Sequence, residues 1–334
     1  MLRLNCFLSL YLLSLSNLSI ANGVDFSNEN WMSQLDDNLK ISRIVMPGSH
    51  DAGMSETHHC DWGSSLNTGM VKTQRLNIEG QLESGSRFFD IRVDYDHREL
   101  VTYHRSGDLG CNGQSLESVM NQSLAFLKNY PSETLILKFS HIRSNRGKQR
   151  EIKDRIDQFL STPTYSEYLY TNQDYEVNLS NILLKNTRGK MILTFDYDEN
   201  TTAKQGRFRY HDGFLENGSN NDDCQFRGPN LTVCDQYTNT TNLSKMEKDQ
   251  IEKWNHFGGL GQNFMFLLSW TLTPDAGTFL GGSIESLASK ANQALPAALE
   301  KQIVDENQPP PNIIYIDYMN TQTAKNIIKY NFLD

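Results

Sequence analysis

The sequence predicts an α/β fold, a closed (β/α) barrel forming a single domain. Three observations carry this. Seven apolar, β-branched or aromatic runs alternate with helix-length amphipathic segments, the pattern of a largely parallel sheet. No Gly-x-Gly-x-x-Gly string follows any of them, which favours a closed barrel over a dinucleotide-binding sheet. The 334 residues allow two domains by length, but barrels of this size commonly form one unit.

Strands are expected at 41–46, 87–93, 100–104, 134–140, 191–197, 264–270 and 312–318, where residues that suit a pleated surface concentrate. Helices are expected at 116–130, 148–160, 245–256, 284–304 and 323–331. In the first, Leu116, Val119, Met120, Leu124 and Leu127 recur at helical spacing, and Pro131 ends it. Pro296 lacks an N–H and is expected to kink or interrupt the fourth. Residues 200–244 are polar, rich in Asn and Thr, and read as an insertion or long loop.

The chain holds 31 Lys+Arg against 40 Asp+Glu, a formal charge of −9, with 10% aromatic and 21% charged residues. That is too aromatic and too weakly charged for a disordered chain. The acidic balance excludes a general nucleic-acid binder and membrane capture by a polybasic patch.

Met1-Leu2-Arg3, an apolar stretch over 4–20, and Ser19-Ile20-Ala21 form the pattern of a secretory signal peptide at 1–21, cleaved after Ala21. An N-terminal membrane anchor is the alternative, and the interrupting serines and asparagines suit it poorly. Removing 21 of 334 residues leaves 313, at 22–334, and losing Arg3 takes the charge from −9 to −10. Losing Cys6 leaves Cys60, Cys111, Cys224 and Cys234, which allow three connectivities. Cys60–Cys111 and Cys224–Cys234 are expected, the second closing a short loop within one polar segment. His58 and His59 beside Cys60 make a metal site the competing reading, although free thiols do not persist in a secreted chain. Asn-x-Ser/Thr acceptors occur at Asn121, Asn178, Asn200, Asn217, Asn230, Asn239 and Asn242; five of these seven fall between 200 and 242, marking that stretch as a glycan-rich external excursion.

Reactive side chains concentrate early. Pro47-Gly48-Ser49-His50-Asp51-Ala52-Gly53 follows the first strand, where barrel active sites gather. Asp90 and Arg92 share one face of the second strand, and charges set among Phe88, Phe89, Ile91 and Val93 are costly unless paired or used. His104 ends the third strand. One histidine can remove a hydroxyl proton and another can protonate a departing alkoxide, while an arginine fork neutralises two phosphodiester oxygens. A substrate carrying its own neighbouring hydroxyl needs no protein nucleophile. A structural Asp90–Arg92 pair with ordinary surface histidines is the alternative.

The string Ile44-Val45-Met46-Pro47-Gly48-Ser49-His50-Asp51-Ala52-Gly53 resembles the opening motif of the X domain of phosphatidylinositol-specific phospholipases C. Gly85-Ser86-Arg87-Phe88-Phe89-Asp90-Ile91-Arg92 resembles the second signature, and Tyr103-His104 and Phe126-Leu127-Lys128-Asn129-Tyr130-Pro131-Ser132-Glu133-Thr134 follow in order. The likeness is specific over 31–140 and thins beyond, with Ile314-Tyr315-Ile316-Asp317-Tyr318 near the end. It implies a distorted TIM-like barrel that cleaves inositol phospholipids to diacylglycerol and inositol phosphate.

By position, the resemblance makes His50 the general base for the inositol 2-hydroxyl and His104 the general acid for the diacylglycerol oxygen. Asp51 matches the carboxylate supporting the second histidine in bacterial-type members. Asp317 matches the late carboxylate orienting the first, with a helix-capping role as its alternative. Asp90 and Arg92 match the acid and arginine of the second signature. Mammalian members resemble the chain at the first histidine but carry Asn after it and an acid-x-acid pair that holds calcium. Asp51 and Arg92 stand in those places, so no metal and no cofactor are expected, and a calcium-independent, bacterial-type enzyme is.

Further substrate contacts are expected at Lys138, Asp196, Trp270 and Tyr318, with an outward Lys138 and ordinary barrel packing of the aromatics as alternatives. His141, His211 and His256 read as surface residues. Trp62, Phe279 and Leu280 lie in Gly-rich loops suited to shallow, reversible bilayer contact. The expected partner is a phosphoinositide lipid, or its glycosylated anchor form, at a membrane surface, met by a secreted monomer. A related barrel phosphodiesterase with another headgroup, or a noncatalytic barrel that binds inositol lipids, are the competing functions.

Overall fold

The computed structural model describes residues 25–143, 147–214, 223–279 and 281–333. The expected signal peptide, the acceptor Asn217, Leu280 and the side chain of Phe279 lie outside what it describes.

Among the described residues there are ten strands: β1 (Met46–Ser49), β2 (Phe88–Asp96), β3 (Glu99–Ser106), β4 (Leu109–Ser115), β5 (Thr134–Ser140), β6 (Lys190–Phe195), β7 (Arg207–Asp212), β8 (Leu231–Asp235), β9 (Met265–Ser269) and β10 (Ile313–Ile316). Eight form a ring in the order β1-β10-β9-β8-β7-β6-β5-β2, closed by pairing of β2 with β1, and every pairing in the ring is parallel. This is the expected TIM-like barrel. Strands covered on both faces need no polar side, and all seven residues of β5 are buried.

The helices are α1 (Trp62–Leu66), α2 (Ile78–Glu83), α3 (Leu116–Asn129), α4 (Gln149–Leu160), α5 (Pro163–Ser166), α6 (Leu243–Phe257), α7 (Ala276–Phe279), α8 (Ile284–Glu300) and α9 (Thr321–Ile328). In α3 the Ser115 hydroxyl accepts from the Ser118 N–H, while Leu116, Val119, Met120, Leu124 and Leu127 are buried as their spacing requires. Both expected disulfides, Cys60–Cys111 and Cys224–Cys234, are present. Among the described residues, no helix is long and apolar enough to cross a membrane.

Four expectations need correction. The run at 41–46 is not a strand: Ile41–Arg43 is a 3-10 turn, Ile41, Ile44 and Val45 pack into the core, and pairing begins at Met46, where β10 becomes available. The segment at 100–104 is a strand outside the ring. Only His97 and Arg98 separate β2 from β3, and their φ values of 48° and 71° close a tight hairpin. A parallel neighbour would need a crossover of about a dozen residues, so β3 and β4 extend β2 as an antiparallel ribbon.

Residues 200–244 are not a mere excursion, because they supply β7 and β8 to the ring and bury Phe208, Tyr210, Leu231 and Val233. Asn230 is buried there, its amide donating to the Tyr175 and Val177 carbonyls, and is closed to glycan attachment; Asn200, Asn239 and Asn242 are exposed. Finally, α8 runs through Pro296 without interruption and ends in a π-turn over Lys301–Asp305. Its buried Ala291, Leu295 and Leu299 hold it against the barrel on either side of the proline.

Candidate active site

The barrel register places the first pair of residues. Ser49 pairs with Ile316, and one step further the His50 N–H donates to the Ile316 carbonyl. His50 and Asp317 therefore leave adjacent strands side by side. Nδ1 of His50 lies 2.8 Å from Asp317 Oδ1. The next residue, Asp51, turns the chain with φ at 39°, a conformation uncommon for a non-glycine residue. The Thr73 hydroxyl and the Met54 N–H hold it there, both donating to its carbonyl.

That turn drives the Asp51 carboxylate under the site. Its Oδ2 lies 3.6 Å from His50 Nε2 and 3.8 Å from His104 Nε2, and its Oδ1 lies 2.6 Å from Arg92 Nε. Asp90 and Arg92 share a face of β2 as expected, with Nε of Arg92 donating to Asp90 Oδ2 at 3.0 Å. Across the register Lys138 pairs with Asp90 and Ser140 with Arg92, and the Ser140 hydroxyl donates to Asp90 Oδ1 at 2.7 Å. His104 reaches in from β3. Its Nδ1 donates to the Val71 carbonyl at 2.9 Å, which leaves Nε2 toward Asp51 and the cleft.

Electrostatics follow from this packing. Burial opposes ionisation of Asp90, but Arg92 and Lys138 overcome it and hold the carboxyl well below its usual range. Arg92 is likewise held charged against burial by Asp51 and Asp90. Burial disfavours the His50 imidazolium, yet Asp51 and Asp317 prevail and raise it to about 9. Arg92 pulls the other way: its Nη2 lies 3.1 Å from His50 Nε2, a contact favourable only when that nitrogen carries a lone pair. The arginine thus favours the tautomer with its proton on Nδ1, toward Asp317.

These groups open onto a cleft of about 480 Å³ at the carboxyl ends of the strands. Lys138 and Asp196 line it as expected. Its far wall comes from β7 and β8, which the sequence reading missed. There Lys138 Nζ sits 2.5 Å from Asp235 Oδ2 and over the Tyr210 ring, whose hydroxyl donates to the same oxygen at 2.8 Å. Burial, aided by Asp235, pushes Asp212 up to about 6. The signal was present in Phe208, Tyr210 and Asp212, which alternate along β7, but the flanking Asn and Thr obscured it.

Two expected contacts fall elsewhere. Trp270 is fully buried and its Nε1 donates to the Ala291 carbonyl, so it packs the barrel against α8. The Tyr318 hydroxyl donates to the Lys72 carbonyl, outside the cleft lining. His141 is not an isolated surface residue: exposed, it stands on the cleft rim, its N–H donating to Asp196. His50, Asp51 and Asp90 bring ligand atoms within 4.8 Å, close enough for a cation. The Arg92 guanidinium already lies against both carboxylates and supplies the positive charge there.

No family model matches the chain. The 1-phosphatidylinositol phosphodiesterase of Listeria monocytogenes is 28% identical over 326 residues, spanning 96% of this chain and 90% of that protein. The protein of that name from Staphylococcus aureus is 28% identical over 206 residues, 60% of this chain and 59% of its own length. The human PI-PLC X domain-containing protein 2 is 30% identical over 139 residues, 34% of this chain and 44% of its own. Among solved structures, phosphatidylinositol-specific phospholipase C from Listeria monocytogenes matches with a TM-score of 0.64 at 24% identity, over 91% of this chain and 99% of that one, which shows the shared fold. The similarity therefore runs well beyond residue 140, where the motifs alone thin out.

Proposed function

We propose that this phospholipase C-type enzyme cleaves phosphatidylinositol, or its glycosylated anchor form, to diacylglycerol and an inositol phosphate by intramolecular attack. One observation carries the mechanism: the Nε2 atoms of two histidines flank one buried carboxylate oxygen, with an arginine between them and the second-strand acid. His50 Nε2 takes the proton of the inositol 2-hydroxyl, with Asp317 steadying the ring through Nδ1. The freed oxygen attacks the adjacent phosphorus, and the P–O bond to diacylglycerol breaks as the cyclic phosphate closes. His104 Nε2 delivers a proton to the departing oxygen while the Arg92 fork neutralises the non-bridging oxygens. The Asp51 carboxylate, near both rings, stabilises the imidazolium form of each in turn. Hydrolysis of the cyclic product would reverse the two roles.

Phosphorus NMR of the products formed from phosphatidylinositol tests substrate class and ring closure together. His50→Ala and His104→Ala should each lose about 10²–10⁴-fold in turnover. Equal, background rates in both variants and wild type would leave a lipid-binding barrel as the better reading.

Calcium independence belongs to the same proposal, because a divalent ion would have to displace a guanidinium held at 2.6 Å and 3.0 Å from its carboxylates. Turnover should survive exhaustive chelation; its loss, with recovery on adding calcium, would overturn this. Secretion as a monomer is proposed alongside, supported by the two disulfides and by exposed acceptors at Asn200, Asn239 and Asn242. Reversible membrane contact is supported by α1, where Trp62 is 81% exposed and Leu66 66%.

A further inference from the structure

We infer that the chain carries a second, surface site for a transition-metal dication of the zinc class, formed by His59, Asp96 and His97. The three ligands come from three places: the loop before Cys60, the end of β2, and the first residue of the β2–β3 turn. Nδ1 of His59 lies 3.1 Å from Asp96 Oδ2, and Nδ1 of His97 lies 3.0 Å from the same oxygen. The two imidazole rings stand 4.1 Å apart, and all three ligand atoms fall within 4.8 Å of one another. Donors around one ion at ~2.0–2.2 Å sit roughly 3.0–3.5 Å apart, so these separations are close to what a shared cation requires. A single hydrogen bond to Asp96 needs only one histidine. Two rings converging the same nitrogen on one carboxylate is a ligand set.

The surroundings hold this set in place. Asn112 Nδ2 donates to Asp96 Oδ2, and Arg105 fixes the Asn112 amide by donating to its oxygen, the kind of support that orients metal ligands. Residues 58 and 112 exchange two backbone hydrogen bonds, and the neighbouring Cys60–Cys111 disulfide fastens the same two segments. His97 also occupies a left-handed position, φ 48°, where asparagine or glycine is the ordinary choice for a tight hairpin. Two imidazoles and one carboxylate select zinc or copper over calcium and magnesium, which prefer all-oxygen shells. Asp96 lies four residues beyond Arg92, about 13 Å along an extended strand, so the site is separate from the catalytic cleft. An ion there would brace the hairpin tip against the segment that leads into α1 and Trp62.

The test is calorimetric titration of zinc chloride into the untagged, oxidised protein after chelator removal, beside His59→Asn and His97→Asn. Asparagine suits the left-handed backbone at both positions, φ 44° and 48°, so these variants keep the turns while removing the ligands. Wild type should bind one ion and gain thermal stability from it, and each variant should bind at least tenfold more weakly and lose that gain. His50→Ala should bind as wild type does. No binding by wild type, binding unchanged in His97→Asn, or equal affinity for calcium would each overturn the proposal. None of these readouts depends on turnover, so a failure here leaves the catalytic reading intact, and the reverse.

Discussion

Arg92 is the residue on which the site's charges converge, since Asp51, Asp90 and His50 all meet its guanidinium. A lysine keeps the charge but contacts one partner where the fork spans several. Arg92→Lys should therefore fold normally, by circular dichroism, and lose about 100-fold in kcat, the loss typical of one misplaced electrostatic donor. Near-normal turnover would remove Arg92 from the phosphate-binding role. Asp317 offers a second test through pH. His50 is raised from 6.5 to about 9, so its interactions stabilise the fold fully below pH 6.5 and that contribution is lost as pH rises through about 9. Catalysis needs the opposite form, so kcat/KM should climb with pH until His50 loses its proton. Asp317→Asn removes one carboxylate that raises His50 and should move this acid limb down by about one unit. A pH–rate profile with an unmoved limb would sever Asp317 from His50. His50, Asp51, Asp90 and Arg92 were legible as neighbours because a short string and a period-two strand fix their directions. Trp270 was not: an aromatic at a strand end does not reveal whether it faces the cleft or a covering helix.

The element that fixes the site is neither strand nor helix but the segment from Val71 to Gln74. The Val71 carbonyl accepts from His104, the Thr73 hydroxyl donates to the Asp51 carbonyl, and the Thr73 carbonyl accepts from the Tyr318 N–H. The fully buried Gln74 amide donates to the carbonyls of His50 and Ile316, while its oxygen accepts from the Met319 N–H. Four residues thus tie both histidines, Asp51 and the Asp317 loop together. Gln74→Leu leaves buried polar groups unpaired and should cost about 1–3 kcal/mol of stability, read by chemical denaturation. Because a shift of about 1 Å misaligns reacting groups, kcat should fall by up to about 100-fold with little change in KM. An equal change in KM, or none in kcat, would mean that Gln74 supports the fold alone. No motif announces such a segment, because the Thr73 and Gln74 side chains act on backbone groups of other segments, and the sequence does not distinguish those groups. β7 and β8 were hidden for a related reason. Strands whose inner face carries Tyr210, Asp212 and Asp235 toward a polar cleft lose the apolar run that marks a barrel strand.

At the scale of the molecule, a formal charge of −9 must be reconciled with the membrane contact proposed above. The ring organises the described strands around the cleft, and the buried ion pairs inside it do not project long-range attraction. Approach to a bilayer then rests on apolar contact, and Trp62, Leu66 and Leu109 are exposed on α1 and the adjoining β4. Burying one large apolar side chain contributes about 1.5–3 kcal/mol, which corresponds to roughly 10- to 100-fold in partitioning. Trp62→Ala should lose that much vesicle binding, measured by sedimentation with phosphatidylinositol-containing vesicles. Its turnover of a water-soluble inositol phosphodiester should be unchanged, since Trp62 does not line the cleft. With apolar side chains carrying the contact, wild-type partitioning should differ little between about 0.1 M and 1 M salt, where screening shortens from about 10 Å to 3 Å. Binding that collapses at high salt would show that charge carries the contact after all, and a Trp62→Ala variant that partitions like wild type would move the contact away from α1.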